Sequence, residues 1–198
     1  VDIELDEIEV NSFKEHSETI LTQTQHLSQT IDDFRNFFKP ENVKSLVTVQ
    51  SVIDNLVHIL TPSLDSNNIE LIITNSAEHK INIFPNELLH VFINIVNNAK
   101  EAMLEHNVKN KEISMSVYEN IDMMIFDIKN IGKNIDDEII NKIFQPYFST
   151  KLNKNGTGLG LYMSKMIVDK QLNGELIVNN VDDGVVFKII IPMKQEKK

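Results

Sequence analysis

The 198-residue chain contains no cysteine, so it can form neither disulfide bridges nor thiolate metal sites, a composition suited to a reducing cytoplasm. It also lacks any apolar stretch near the roughly 20 residues needed to span a bilayer, and its N-terminus, at Val1, carries no signal-peptide pattern. A membrane is therefore expected to be met only through regions outside this chain. Positive charge is scarce: 19 Lys and Arg stand against 29 Asp and Glu, for a net charge of −10. That balance leaves no basic surface large enough to neutralise a nucleic-acid backbone, so DNA and RNA are not expected partners. A nucleotide triphosphate is still allowed, because backbone amides, a metal ion and one or two lysines suffice locally. No internal repeat is evident.

What is present is ordinary globular usage, 41% hydrophobic and 24% charged, at a length that suits one compact domain with an appended element. Within residues 11–38, Phe13, Ile20, Leu27, Ile31, Phe34 and Phe38 recur at spacings of seven, four and three. With no Gly or Pro before Pro40, this seam predicts a long helix packing on partner helices; a core helix of the same domain is the alternative. Further on, helices are expected at Ser51 to Leu64, Pro85 to about His106, Asp136 to Lys142 and Gly158 to Gln171. Strands are expected at Ile69 to Thr74, Ile81 to Phe84, Glu112 to Tyr118, Met123 to Ile128, Glu175 to Asn179 and Val185 to Ile191, with turns around Glu119-Asn120 and at Asp182-Asp183-Gly184. Helices and antiparallel strands without a regular strand–helix repeat predict an α+β two-layer sandwich rather than a doubly wound fold.

Two stretches suggest chemistry. In the helix beginning at Pro85, Asn94, Asn97 and Asn98 interrupt an apolar run, and buried amides need partners. Asn94 and Asn98 are four residues apart, so they share a helix face and can converge on one ligand. An amide oxygen can coordinate Mg²⁺, a hard cation that keeps several waters and shares triphosphate oxygens; capping a neighbouring loop is the alternative use. The second stretch is Gly156-Thr157-Gly158-Leu159-Gly160-Leu161, where a polar loop enters a helix. Amides at such a helix start attract phosphate, and glycines permit close backbone approach; a flexible connection is the plain alternative.

Together these stretches carry a family resemblance. Asn94-Ile95-Val96-Asn97-Asn98-Ala99-Lys100-Glu101-Ala102 resembles the N box of bacterial sensor histidine kinases. Ile143-Phe144-Gln145-Pro146-Tyr147-Phe148-Ser149-Thr150-Lys151 resembles their F box, Gly156 to Leu161 matches the G2 box, and Leu172-Asn173-Gly174 with Gly184 to Pro192 resembles the final hairpin. Leu27 to Phe38 looks like the second helix of the family's dimerisation hairpin. The resemblance implies two regions: residues 1–40, a partial dimerisation and phosphotransfer region, and residues 41–198, an ATP-binding catalytic domain. It also implies a fold of the type shared by histidine kinases, gyrase and heat-shock chaperones, a mixed sheet with helices on one face, preceded by a long helix.

The implied activity is transfer of the ATP γ-phosphate to a histidine on a dimerisation helix, for relay to the receiver domain of a response regulator. Homodimerisation through the complete hairpin and a cytoplasmic location are implied as well. None of the six histidines has the family's acceptor context, an acidic or polar residue next and then a proline, so the phosphate acceptor is expected outside this chain. The resemblance assigns Asn98 to Mg²⁺ with Asn94 supporting it, Gly156, Thr157, Gly158, Leu159, Gly160 and Leu161 to phosphate, and Lys151 to the triphosphate. Asn130, Gly132 and Ile135 are assigned to the adenine side.

The G1 box departs from the family. Counting back from Phe144 aligns Asn130-Ile131-Gly132-Lys133-Asn134-Ile135 with it, so Asn130 stands where an aspartate is expected and Asn134 where a glycine is. A competing register would use Asp127. Asparagine keeps an acceptor for the adenine amino group but loses the charge. A degenerate domain acting in dimerisation or docking is therefore the main alternative function. An ATPase of the gyrase, mismatch-repair or chaperone type is a further alternative, although those place a catalytic glutamate where Asn94 stands.

Overall fold

A computed structural model describes residues 43–150 and 157–193, together with Phe13, His16, Ser17, Ile20, Leu21 and Thr24, which are helical. The remaining part of the predicted long helix, including Leu27 to Phe38, lies outside the described residues. Of the predicted seam, Phe13 and Ile20 are 74% and 62% exposed.

The elements follow one another as β1 (Ser45–Thr48), α1 (Val49–Asp65), β2 (Glu70–Asn75), β3 (Lys80–Ile83), α2 (Pro85–Glu105), β4 (Glu112–Asn120), β5 (Met123–Ile131), α3 (Asp137–Ile140), α4 (Gly160–Met166), β6 (Glu175–Val181) and β7 (Gly184–Pro192). Thr48 caps α1 by accepting from the Ser51 amide, and Pro85 opens α2 at a position where a missing N–H costs nothing. Helix α4 begins two residues after the expected Gly158, because Gly158 has φ +65°, which a right-handed helix does not allow. Its last turn, Ile167–Gln171, widens into a π-helix closed by the Leu172 amide on the Ile167 carbonyl.

Five strands form a mixed sheet in the order β2-β4-β5-β7-β6, in which β2 and β4 are parallel and the other pairs antiparallel. The strand β1, not expected from its polar-flanked pattern, pairs antiparallel with β3 as a separate two-stranded sheet. The β4–β5 turn falls at Ile121-Asp122, later than expected, because β4 extends past Tyr118 to Asn120 and Ile121 takes the left-handed turn conformation.

Period-two alternation gives the sheet one apolar face. Met124, Phe126, Ile128 and Asn130 of β5 stand in rows with Val117, Met115 and Ile113 of β4 and with Ile191, Ile189, Phe187 and Val185 of β7. Those apolar side chains join the buried seams of α1 (Val52, Ile53, Leu56, Leu60) and α2 (Leu88, Val91, Phe92, Ile95, Val96, Ala99, Met103) in one core. Phe92 packs on Phe126 in a tilted arrangement with ring centroids 5.1 Å apart, which places α2 on that face. This is the two-layer α+β sandwich expected from the order of elements.

A carboxylate of β4 ties down the β2–β3 connection. Glu119 accepts the backbone amides of Glu78 and His79 and lies 2.6 Å from His79 Nδ1. The His79 amide hydrogen bond, foremost, holds its carboxyl below the usual 4.5.

Two outcomes follow for stability. Phe92→Ala removes the ring that seats α2 and is expected to cost about 3–5 kcal/mol in denaturant unfolding. For Glu119, a lowered folded pKa means that its contribution is present above the usual carboxylate value and is lost as pH falls through the folded one. Glu119→Gln should therefore flatten the acid limb of a stability-against-pH curve below about pH 4.5 while lowering the plateau near neutrality; an unchanged acid limb would exclude the carboxylate.

Candidate functional site

The core-facing residues of α2 fix its rotation, and Asn94 and Asn98, one turn apart, consequently sit half-buried at the edge of the core. Helix α4 crosses there. Asn94 Nδ2 donates to Ser164 Oγ at 2.7 Å, and Asn98 Nδ2 approaches Asn94 Oδ1 at 3.5 Å, a loose hydrogen bond. Gly160 is what lets α4 come this close, since a Cβ at that position would lie 2.5 Å from Asn94 Oδ1. Ser164, 2% exposed, was not among the expected site residues. A readable signal existed: it lies four residues after Gly160 and is therefore on the same helix face.

The loop leading into α4 is anchored to the F-box segment. A Cβ on Gly158 would lie 2.5 Å from the Tyr147 carbonyl carbon and 2.8 Å from the Phe148 nitrogen, so that position admits only glycine. Thr157 is exposed, and its hydroxyl oxygen accepts from the Leu159 amide at 3.4 Å. Leu159 is half-buried, and Leu161 packs against the core. Lys151 and Gly156 lie outside the described residues.

A second group gathers at the end of β5. Asn130 is 5% exposed, between Ile113 and Val185 on the helix-facing side of the sheet, and its Nδ2 reaches the Ile131 carbonyl at 3.4 Å. The segment that follows is stapled to the β6–β7 hairpin. The Gly132 amide donates to the Asp183 carbonyl at 2.9 Å, and the Ile135 amide donates to Asn180 Oδ1 at 2.9 Å. Asn180 Nδ2 donates back to the Ile135 carbonyl at 2.7 Å. With its carboxamide oriented as its neighbours require, Asn134 donates to the carbonyls of Val181 and Gly184 at 3.1 and 2.8 Å. Asparagine in place of a glycine thus adds two contacts to the staple.

Asp127, the competing G1 residue, is on the opposite face of the sheet. Its Oδ2 accepts from the Tyr118 hydroxyl at 3.0 Å, and its Oδ1 makes a charge contact with Lys188 Nζ at 3.3 Å. The Tyr118 hydroxyl, foremost, and the Asp127 charge hold the Lys188 ammonium above its usual range. The period of two therefore separates Asp127 from the helix layer and leaves Asn130 facing it.

Residues 84–195 match the family of histidine kinase-, DNA gyrase B-, and HSP90-like ATPases. Sporulation kinase C of Bacillus subtilis (strain 168) is 27% identical over 190 residues, covering 92% of this chain and 42% of that kinase. The catalytic domain of histidine kinase ThkA, in a nucleotide-free form, is 26% identical with a TM-score of 0.68, covering 76% of this chain and 95% of that one. ThkA in complex with the response regulator protein TrrA superimposes with a TM-score of 0.76 at 22% identity, covering 96% of this chain and 53% of that one. The chain belongs to this ATPase family. Within it, the chain is a sensor histidine kinase C-terminal ATP-binding domain, as these relatives and the ordered boxes indicate. No helix among the described residues is long and apolar enough to cross a membrane.

Gly184 gives the site's geometry a direct check. It pairs with Ile131, and a Cβ there would lie 1.9 Å from the Asn130 carbonyl oxygen. Gly184→Ala should force β5 and β7 apart beside Asn130 and destabilise the fold by about 1–3 kcal/mol in denaturant unfolding. A neutral effect would mean that the strands do not approach as described.

Proposed function

We propose that this domain binds Mg-ATP between α2 and the loop preceding α4, and donates the γ-phosphate to a histidine of the dimerisation hairpin. The phosphate would then be relayed to a response regulator. The observation that carries this reading is the convergence of Asn94, Asn98 and Gly160 at the start of α4, beside a helix whose core face is fully occupied. Asn98 Nδ2 is turned to Asn94, which leaves the amide oxygen of Asn98 for a ligand. Among the described residues no three His, Asp or Glu side chains gather around a metal position. A single neutral oxygen donor suits Mg²⁺ that takes its other ligands from phosphate and water.

The residues would divide the work as follows. Asn98 holds the metal and Asn94 supports it. Gly158, Leu159, Gly160 and Leu161, with Gly156 and Thr157 before them, turn backbone amides toward phosphate, and Lys151 reaches the triphosphate. Asn130, Gly132 and Ile135 receive adenine. Bound Mg²⁺ would offset triphosphate charge, so what the chain itself supplies is position, since phosphoryl transfer depends mainly on alignment and electrostatics. No nucleophile or proton carrier from this domain is required, because the attacking imidazole belongs to the hairpin.

ThkA was solved with a response regulator protein, which supports such a regulator's receiver domain as a partner here. Exposure of the seam residues Phe13 and Ile20 supports a homodimer formed through the complete hairpin. We place the domain in the cytoplasm, attached to a membrane only through other parts of the protein. The reading as a degenerate docking module rests on Asn130 alone.

Calorimetric titration of Mg-ATP separates the two. A charged acceptor is worth about 1.5–3 kcal/mol against about 0.5–1.5 for a neutral one, so Asn130→Asp should tighten binding roughly tenfold over the natural chain. The same change buries a carboxylate next to the Ile131 carbonyl and should lower the nucleotide-free melting temperature. Binding by the variant alone would make Asn130 the inactivating residue, and binding by neither would sink the kinase reading.

A further inference from the structure

Ser164 is a fully buried polar side chain on the face of α4 that meets α2. It begins a line of three polar groups. Its hydroxyl oxygen accepts from Asn94 Nδ2, and Asn94 Oδ1 faces Asn98 Nδ2. A carboxamide has a donor end and an acceptor end, so a direction chosen at one member of such a line is imposed on the next. With Asn94 donating to Ser164, Asn98 turns its NH₂ inward and its carbonyl oxygen away. Were the line reversed, Asn98 would present NH₂ instead, and an NH₂ cannot bind a cation.

A hydroxyl can accept or donate, so Ser164 holds the line in either direction, and Gly160 is what selects between them. Its hydrogen occupies the place from which a Cβ would lie 2.5 Å from Asn94 Oδ1. A Cα hydrogen against an amide oxygen is weakly favourable, whereas against an NH₂ it sets hydrogen on hydrogen. Gly160 and Ser164 are about one helical turn apart, so one face of α4 reads both ends of the Asn94 amide.

We propose that Ser164 is a positioning residue: by accepting from Asn94 Nδ2 it holds the Asn94 amide in the direction that Gly160 selects, and so presents the Asn98 carbonyl oxygen, rather than its NH₂, to nucleotide-bound Mg²⁺. The role rests on the nucleotide-site reading above. A packing role alone would leave the Mg²⁺ dependence of nucleotide binding untouched. An orienting role concentrates the effect there.

The test compares the natural chain, Ser164→Ala and Ser164→Thr by calorimetry with ADP, in excess Mg²⁺ and in chelator, alongside NMR of the side-chain amides without nucleotide. In Ser164→Ala the Mg²⁺-dependent gain in ADP affinity should fall about tenfold, the scale of one lost hydrogen bond in a buried site. Affinity in chelator should be unchanged. Ser164→Thr, which keeps the hydroxyl, should restore the gain. The NH₂ resonances of both Asn94 and Asn98 should shift in Ser164→Ala. Equal loss of affinity with and without Mg²⁺, an undiminished Mg²⁺ gain, or a shift confined to Asn94 would each overturn the role of Ser164. If the natural chain binds ADP no better with Mg²⁺ than without, the metal assignment of Asn98 fails, and the proposal with it.

Discussion

The seating of α2 on the inner face of the sheet is the constraint from which the rest of the molecule follows. Phe92 against Phe126, with Leu88, Val91, Ile95, Val96, Ala99 and Met103 all buried, fills one side of the helix and leaves it no rotational freedom. Asn94 and Asn98 lie just off that apolar stripe. The same packing that stabilises the domain therefore holds two amides half-buried at the core's edge, where an unpaired polar group is costly and a partner is demanded. Helix α4 supplies the partner, and Gly160 supplies the room.

The other half of the site depends on hydrogen bonds rather than burial. The segment after β5 has no regular structure of its own between Gly132 and Asp136. It is positioned by the β6–β7 hairpin through Asp183, Asn180, Val181 and Gly184. Each neutral bond contributes on the order of 1 kcal/mol net, but several acting on one short segment restrict it far more than any one would. Here the departures from the family pattern are informative. Asn134 is accommodated because its side chain joins the staple, whereas Asn130 brings a neutral amide to a buried position where the resemblance led us to expect a charge.

Much of this was legible in the chain itself. Alternation in 123–131 and the uninterrupted apolar face of 85–105 located β5 and α2, and the ordered boxes identified the family. That Asp127 and Asn130 face opposite sides was also implicit in the period of two, since residues three apart on a strand do so. Other features were not legible. The β1–β3 pair joins short segments more than thirty residues apart, and the parallel β2–β4 pairing is a non-local choice with no turn to announce it.

Local pattern thus determined which segments are helices and strands, which of their faces are apolar, and which boxes carry the family likeness, because these properties are set by residues within a few positions of one another. Tertiary structure alone decided that Ser164 meets Asn94 across seventy residues, that the β6–β7 hairpin holds the segment after Asn130, and which end of each amide faces the site. Those outcomes depend on how two layers pack, and a carboxamide acquires a direction only when distant groups surround it.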